Sequence, residues 1–169
     1  MIAKHVFLTG ERQVGKSTLM NQVLCFLKQN PSGFVTRPYY IEERVKGYYL
    51  HSLVPCKEND MPISIRHQAS AIPILSSFNE FGTLVLQHSR KDESSLILMD
   101  ELGVLEEEAE AFKAEVLACL DGEKRVVGII KKADSPFLHQ IRTRKDTSVL
   151  ELTANNRAEI YNQLLFMLK

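Results

Sequence analysis

The residues Gly10-Glu11-Arg12-Gln13-Val14-Gly15-Lys16-Ser17 satisfy the pattern Gly-x-x-x-x-Gly-Lys-Ser/Thr in full. Each fixed position has a chemical reason. A loop bounded by glycines turns successive backbone N–H groups inward, so that they wrap an anion. A helix starting near Lys16 adds its positive end. The Lys16 ammonium reaches the β- and γ-phosphates of a nucleotide, and the Ser17 hydroxyl supplies one oxygen to Mg²⁺. Gly10, Glu11, Arg12, Gln13, Val14, Gly15, Lys16, Ser17 and Thr18 are therefore the expected phosphate-binding residues. Arg12 and Gln13 are long for such a loop. They leave it intact provided that their backbone angles suit non-glycine residues and their side chains point outward.

A second acidic element is "LILMDELG", Leu96 to Gly103. An apolar strand ending in an aspartate is the usual carrier of the other Mg²⁺ contact beside a P-loop, so Asp100 is the expected metal residue together with Ser17. Glu101 is placed to orient and deprotonate an attacking water. Among the late basic residues Lys131, Lys132, Arg142, Arg144 and Lys145, Arg142 and Arg144 are the candidates for an arginine finger. The alternative is a solvated helix and loop that balance the acidic run Glu106 to Glu110. "DELG" and "KKAD" (Lys131 to Asp134) also approach the motifs of regulatory GTPases. The Asn of the guanine reader is missing, however, and Arg12 occupies a position that those proteins keep small. Tyr39, Tyr40, Tyr48 and Tyr49 either face a base or a partner, or pack within a hairpin, and hairpin packing is the favoured reading. The five histidines make no ligand pair or triad.

These groups need elements to hold them. His5 to Thr9 reads as a strand entering the loop, and Leu19, Met20, Val23, Leu24 and Leu27 mark the helix leaving it, which Asn30-Pro31-Ser32-Gly33 stops. Gly33 to Thr36 is a short strand. "YYIEE" and "GYYLHSL" flank Arg44 to Lys46 as a hairpin, and Pro55 to Pro73 shows no clear period, so 38–73 reads as a hairpin and loop insertion. A helix over Ser77 to His88, a strand over Ser95 to Asp100, a helix over Leu105 to Leu120 and a strand over Arg125 to Ile130 follow. Ser135-Pro136 opens a further helix. Ser148 to Leu152 is a last strand and Ile160 to Leu168 a closing helix. Strands alternating with helices imply an α/β three-layer sandwich with a mostly parallel sheet, ligands lying at the carboxyl ends of the strands.

The chain has 169 residues, suited to a single domain, with 21 basic and 21 acidic side chains. It has no net field to recruit nucleic acid or an anionic membrane. No apolar run approaches the roughly 20 residues that cross a bilayer, and no signal peptide is visible. Cys25, Cys56 and Cys119 lack pairing or zinc spacing, which reads as reduced thiols in the cytoplasm.

The chain resembles the small nucleoside-triphosphatase family known from thermophiles and, in humans, as cancer-related nucleoside-triphosphatase. The matching segments are "HVFLTGERQVGKSTL", "GFVT", "LILMDELGVLE" and "IRTRKDTSVLELTANNR", in order over nearly the full length. The resemblance implies a RecA/AAA-like P-loop protein that hydrolyses ATP, GTP and other nucleoside triphosphates with Mg²⁺, slowly and with loose base preference. By motif it puts Gly10 to Thr18 on the phosphates, Asp100 on Mg²⁺ and Glu101 as the base. This chain departs from the family at Arg12-Gln13, where Pro-Gly is usual. It departs again at Val104, where a basic residue is frequent, and at Arg37-Pro38, where acidic residues are common.

The expectation is a Mg²⁺-dependent nucleoside triphosphatase. Its rivals are a small-molecule kinase, with the 39–73 segment binding an acceptor, and a nucleotide-sensing switch acting on a partner protein. Arg12 puts a cation on the γ-phosphate side of the loop. Arg12→Gly should therefore change steady-state turnover more than nucleotide affinity, and lost binding with unchanged turnover would contradict this.

Overall fold

The computed structural model describes residues 2–169. Strand β1 (His5–Thr9) runs into the loop, and helix α1 (Lys16–Phe26) leaves it. Then come β2 (Ser32–Ile41), β3 (Arg44–Ser52), β4 (Asp60–His67) and β5 (Ser70–Pro73). A π-helical turn over Ser77–Gly82 runs straight into α2 (Thr83–Lys91). The chain ends with β6 (Leu96–Leu102), α3 (Glu110–Asp121), β7 (Arg125–Ile130), α4 (Pro136–Arg142), β8 (Thr147–Glu151) and α5 (Arg157–Leu168).

All the strands join one eight-stranded sheet in the order β5-β4-β3-β2-β6-β7-β1-β8. From β2 to β8 every pairing is parallel, and from β2 to β5 every pairing is antiparallel. The central strands are buried on both faces, so alternate residues feed two separate cores. Phe7, Ile97, Met99 and Val126 face Phe112, Val116, Leu138 and Ile141 on the α2, α3 and α4 side. Val6, Leu8, Leu96, Leu98 and Val127 face Leu19, Val23, Ile160 and Leu164 on the α1 and α5 side. This is the three-layer α/β sandwich that the alternation implies. Ser135 caps α4 as its Ser-Pro signature indicates, accepting the Leu138 N–H at 3.1 Å.

Within 38–73 the expected hairpin forms as β2 and β3, while much of the part read as loop also joins the sheet, as β4 and β5, after an irregular stretch over 53–59. "GFVT" and "YYIEE" form one continuous strand, β2, and the hairpin turns at Glu42-Glu43, both at positive φ (49° and 62°), ahead of Arg44 to Lys46. Such a two-residue turn usually announces itself as Asn-Gly, and here the side chains carry no signal. β4 was available as the alternation Met61, Ile63, Ile65, but Pro62 breaks the pattern where the β3–β4 register shifts. β2 pairs with β6 only over Ser32 to Val35. Its remainder, Thr36 to Ile41, rises about 20 Å past the carboxyl ends of the core strands and carries β3, β4 and β5 with it as a side wall. The α3 helix also starts later than its periodicity suggests, because Glu106 folds back to accept the Gly103 N–H at 2.6 Å.

β7 separates β1 from β6, and Gly128 lies between Phe7 and Met99 in register. A Cβ there would stand 2.3 Å from the Met99 carbonyl oxygen and 3.0 Å from the Phe7 ring. Gly128→Ala should therefore force β6 and β7 apart beside Asp100 and lower unfolding stability by roughly 2–4 kcal/mol in chemical denaturation.

Candidate active site

The loop from Gly10 to Gly15 connects the carboxyl end of β1 to the first turn of α1. Gly10 and Gly15 lie at φ 144° and 97°, and a Cβ on Gly10 would meet the Leu152 carbonyl at 2.3 Å. Val14 packs down onto the α1–α5 core and anchors the loop from below. Gln13 does not meet the condition set by its residue type, since it takes φ 62°, in the left-handed region. That conformation costs a non-glycine residue roughly 1 kcal/mol, and it accounts physically for the glycine that the resembling family usually has there. Arg12 does point away from the loop: its guanidinium donates to the Tyr48 hydroxyl on β3 at 3.3 Å.

Lys16 donates to the loop's own carbonyls, Gly10 at 3.0 Å and Glu11 at 2.8 Å. Ser17, in the first turn of α1, donates through Oγ to Asp100 Oδ1 at 3.1 Å. Asp100 is only 8% exposed. Burial pushes its carboxyl up to about 6, aided by the adjacent Glu101 and opposed mainly by the Ser17 hydrogen bond. A hydroxyl and a buried, under-compensated carboxylate at the foot of an anion-binding loop form an oxygen-donor pair that suits a hard cation. Glu101 faces the open side, and its N–H donates to Thr36 Oγ1 of β2 at 3.4 Å.

A cavity of about 910 Å³ lies over these groups. The loop forms one wall, Glu101 and Gly103 to Glu106 the floor, and Tyr48, Ile63 and Arg66 of the antiparallel extension the far side. Thr36, Arg66 and Glu106 line the cavity with no local motif to announce them. Tyr48 lines it as well, which is the alternative to hairpin packing that its sequence left open. Lys132 bridges Glu11 (2.9 Å) and Glu151 (2.8 Å). These bonds raise its pKa, the one to Glu151 contributing most, and tie the loop to the end of β8.

The two proposed finger residues are not brought to this cavity. Arg142 donates to the Ala133 carbonyl at 2.8 Å and to the Lys131 carbonyl, closing the β7–α4 connection. Arg144 lies at the amino end of β8, the opposite end of the sheet, paired with Asp121 (2.9 Å) and Asp146 (2.8 Å). Both guanidiniums are held by neighbours that their position in the chain does not reveal. The histidines are structural or surface groups: buried His5 accepts from the Val126 N–H and faces the Leu120 carbonyl, which ties β1, β7 and α3.

Fold and loop together define a P-loop NTPase architecture, with the acidic strand one strand removed from the loop strand. A family model described as NTPase matches residues 5–165. The chain belongs to this NTPase family. It is 32% identical over 168 residues to nucleoside-triphosphatase THEP1 of Thermotoga maritima, covering 97% of this chain and 95% of that protein. It is 28% identical over 184 aligned positions to the cancer-related nucleoside-triphosphatase homolog of Bos taurus, covering 97% and 96%. Among solved structures it is similar to THEP1 from Aquifex aeolicus (TM-score 0.76, 25% identity, 98% and 99% covered). It is also similar to a human cancer-related nucleoside triphosphatase (TM-score 0.78, 25% identity, 99% and 98% covered).

Glu106 is 3% exposed, and burial pushes its carboxyl up to about 7. Its folded pKa stands above the ordinary 4.5, so the native state binds the extra proton between these values. The Glu106 contribution to stability should fall as pH rises from about 4.5 to about 7, by up to roughly 3 kcal/mol, and level off above. Asp100, raised to about 6, adds its own fall at lower pH, so Glu106→Gln should reduce the slope in urea titrations most clearly between about pH 6 and 7.

Proposed function

We propose that the chain hydrolyses nucleoside triphosphates to the diphosphate and inorganic phosphate, with Mg²⁺ held by Ser17 and Asp100. The observation that carries the reading is the placement of Glu101. It lies beside the buried Asp100, opens to the same cavity as Lys16, and is steadied through its backbone by Thr36. The loop N–H groups and Lys16 would bind the β- and γ-phosphates, for which Lys16 exchanges its contacts with the Gly10 and Glu11 carbonyls. A bound Mg²⁺ would neutralise charge on the phosphate oxygens and favour the ionised form of Asp100. Glu101 orients a water toward the γ-phosphorus and takes its proton. The water oxygen forms the new P–O bond as the bond to the bridging β–γ oxygen breaks, and the diphosphate leaves.

Several features agree with this role. The cavity is open to water, as hydrolysis requires. "KKAD" does not assemble a guanine reader: Lys132 is engaged by Glu11 and Glu151 instead, in keeping with loose base preference. The three free cysteines are in keeping with a reducing compartment such as the cytoplasm. Among the described residues no helix is long and apolar enough to cross a membrane.

Phosphate release from ATP or GTP with Mg²⁺ and no added acceptor is the test. Glu101→Gln should lower kcat on the order of 10²–10⁴-fold with nucleotide binding retained, whereas Lys16→Ala should lose both. Release that appears only when a phosphoryl acceptor is added would instead indicate a kinase.

A further inference from the structure

Arg142 and Arg144 are committed elsewhere and Arg12 is held by the Tyr48 hydroxyl, so a free guanidinium for the γ-phosphoryl has to come from another element. We propose that Arg66, at the carboxyl end of β4, is the arginine that stabilises the transferring phosphoryl group, supplied within the same chain by the antiparallel extension. The proposal rests on the hydrolytic reading of the site.

The topology puts Arg66 at the right end of the sheet. β2 is parallel to β6, β3 is antiparallel to β2, and β4 is antiparallel to β3. The carboxyl end of β4 therefore lies at the same end as the carboxyl ends of β1 and β6, where the loop and Glu101 stand. It also lies on the correct side of the loop. In the sheet order, β6 and the extension are on one side of β1 and β8 is on the other. The Asp100–Glu101 pair is on the β6 side, so the γ-phosphate points that way and Arg66 faces it. The gap is short enough for side chains to cross, since Arg12 from the loop already reaches Tyr48 on β3. Arg66 lines the same cavity as Lys16, Ser17 and Glu101.

Its own contacts leave it available. Among the described residues Arg66 has no carboxylate partner. Only Nε is engaged, donating to the Gln68 carbonyl at 3.4 Å, which orients the guanidinium and leaves both terminal nitrogens open. On its outer side Arg66 shares a groove with Arg44, Val45, Lys46 and Gln68, a lining that includes no carboxylate. Repulsion from these two cations favours the guanidinium turning toward an anion in the cavity. The other cations of the cavity are less suited. Lys132 is tied to two carboxylates and Arg12 to Tyr48, Lys131 offers a point charge rather than a planar fork, and Arg37, whose charge reaches Asp100, does not line the cavity. As the bond to the bridging oxygen breaks, charge spreads over the three equatorial oxygens of the γ-phosphoryl. A planar fork of N–H donors in a preset position stabilises that state above the ground state.

The test compares Arg66→Ala and Arg66→Lys with wild type and Glu101→Gln. The measurements are phosphate release, ADP affinity, affinity for ADP with aluminium fluoride as a mimic of the transferring phosphoryl, and thermal midpoint. Arg66→Ala should lose kcat by roughly 10²–10³-fold. Affinity for the ADP–aluminium fluoride complex should fall in parallel, while ADP affinity and thermal midpoint stay unchanged and Arg66→Lys recovers only part of the loss. Turnover within threefold of wild type in Arg66→Ala overturns the assignment. So does a loss matched by an equal loss of ADP affinity or accompanied by a lowered thermal midpoint. If Glu101→Gln abolishes turnover while Arg66→Ala does not, only this assignment falls. If both variants hydrolyse normally, the role of Glu101 falls with it, and if wild type releases no phosphate without an added acceptor, the hydrolytic reading itself falls.

Discussion

The hydrogen bond from Ser17 Oγ to Asp100 Oδ1 joins two elements that are not sheet neighbours. One end is the first turn of α1; the other is the end of β6, across the intervening β7. Holding these oxygens 3.1 Å apart requires that three strands end at one level and pack closely. Gly128 makes this possible, because β7 presents no side chain between Phe7 and Met99. The strand ends then meet in a region dry enough to raise the Asp100 carboxyl to about 6. The sandwich thus maintains a buried carboxylate and a hydroxyl opposite each other at the mouth of an anion-binding loop, a pair of oxygen donors suited to a hard cation.

The other half of the molecule gives the site its depth. A parallel sheet of five strands with a P-loop would leave the γ-phosphate side open to solvent. Here β2 continues past its β6 partner and β3, β4 and β5 follow it upward, so the loop faces a wall of Tyr48, Ile63 and Arg66. Thr36, at the point where β2 leaves β6, connects this wall to the backbone of Glu101. The extension is anchored by Phe34, Leu50, Ile63 and Phe78, which join the same core as α2 and α3. Its position is therefore set by packing that is shared with the sandwich.

The loop residues depart from their family in ways that have different physical meanings. Gln13 carries a conformational cost at a left-handed position and lines the cavity. Arg12 gains one, the Tyr48 hydroxyl, and links the loop to the wall. Lys132 links the same loop to β8 from the other side. The loop is thus braced on both flanks by side chains, although its anion-binding work belongs to its backbone.

Much of this was legible without coordinates where the information is local. The P-loop, the strand before it, the helix after it and the acidic end of β6 are contiguous patterns, and each is imposed by backbone geometry or by burial on both faces. β7, β8, the Ser135 cap and α5 follow from the same rules. What the sequence could not supply concerns groups far apart in the chain. Residue type marks Arg66, Arg142 and Arg144 equally as cations. Only the antiparallel path of β3 and β4 brings Arg66 to the cavity, while Asp121 and Asp146 hold Arg144 at the far end of the sheet and the Lys131 and Ala133 carbonyls hold Arg142. Likewise Pro62 conceals β4 until β3 is there to pair with it, and nothing near Glu106 announces that its carboxyl turns inward to Gly103. By itself the sequence determined a phosphate-binding loop and an acidic strand end on a parallel α/β sheet, because those depend on neighbours in the chain. The tertiary structure decided which charges share the cavity, because that depends on strand order, register and the partners each side chain meets across the sheet.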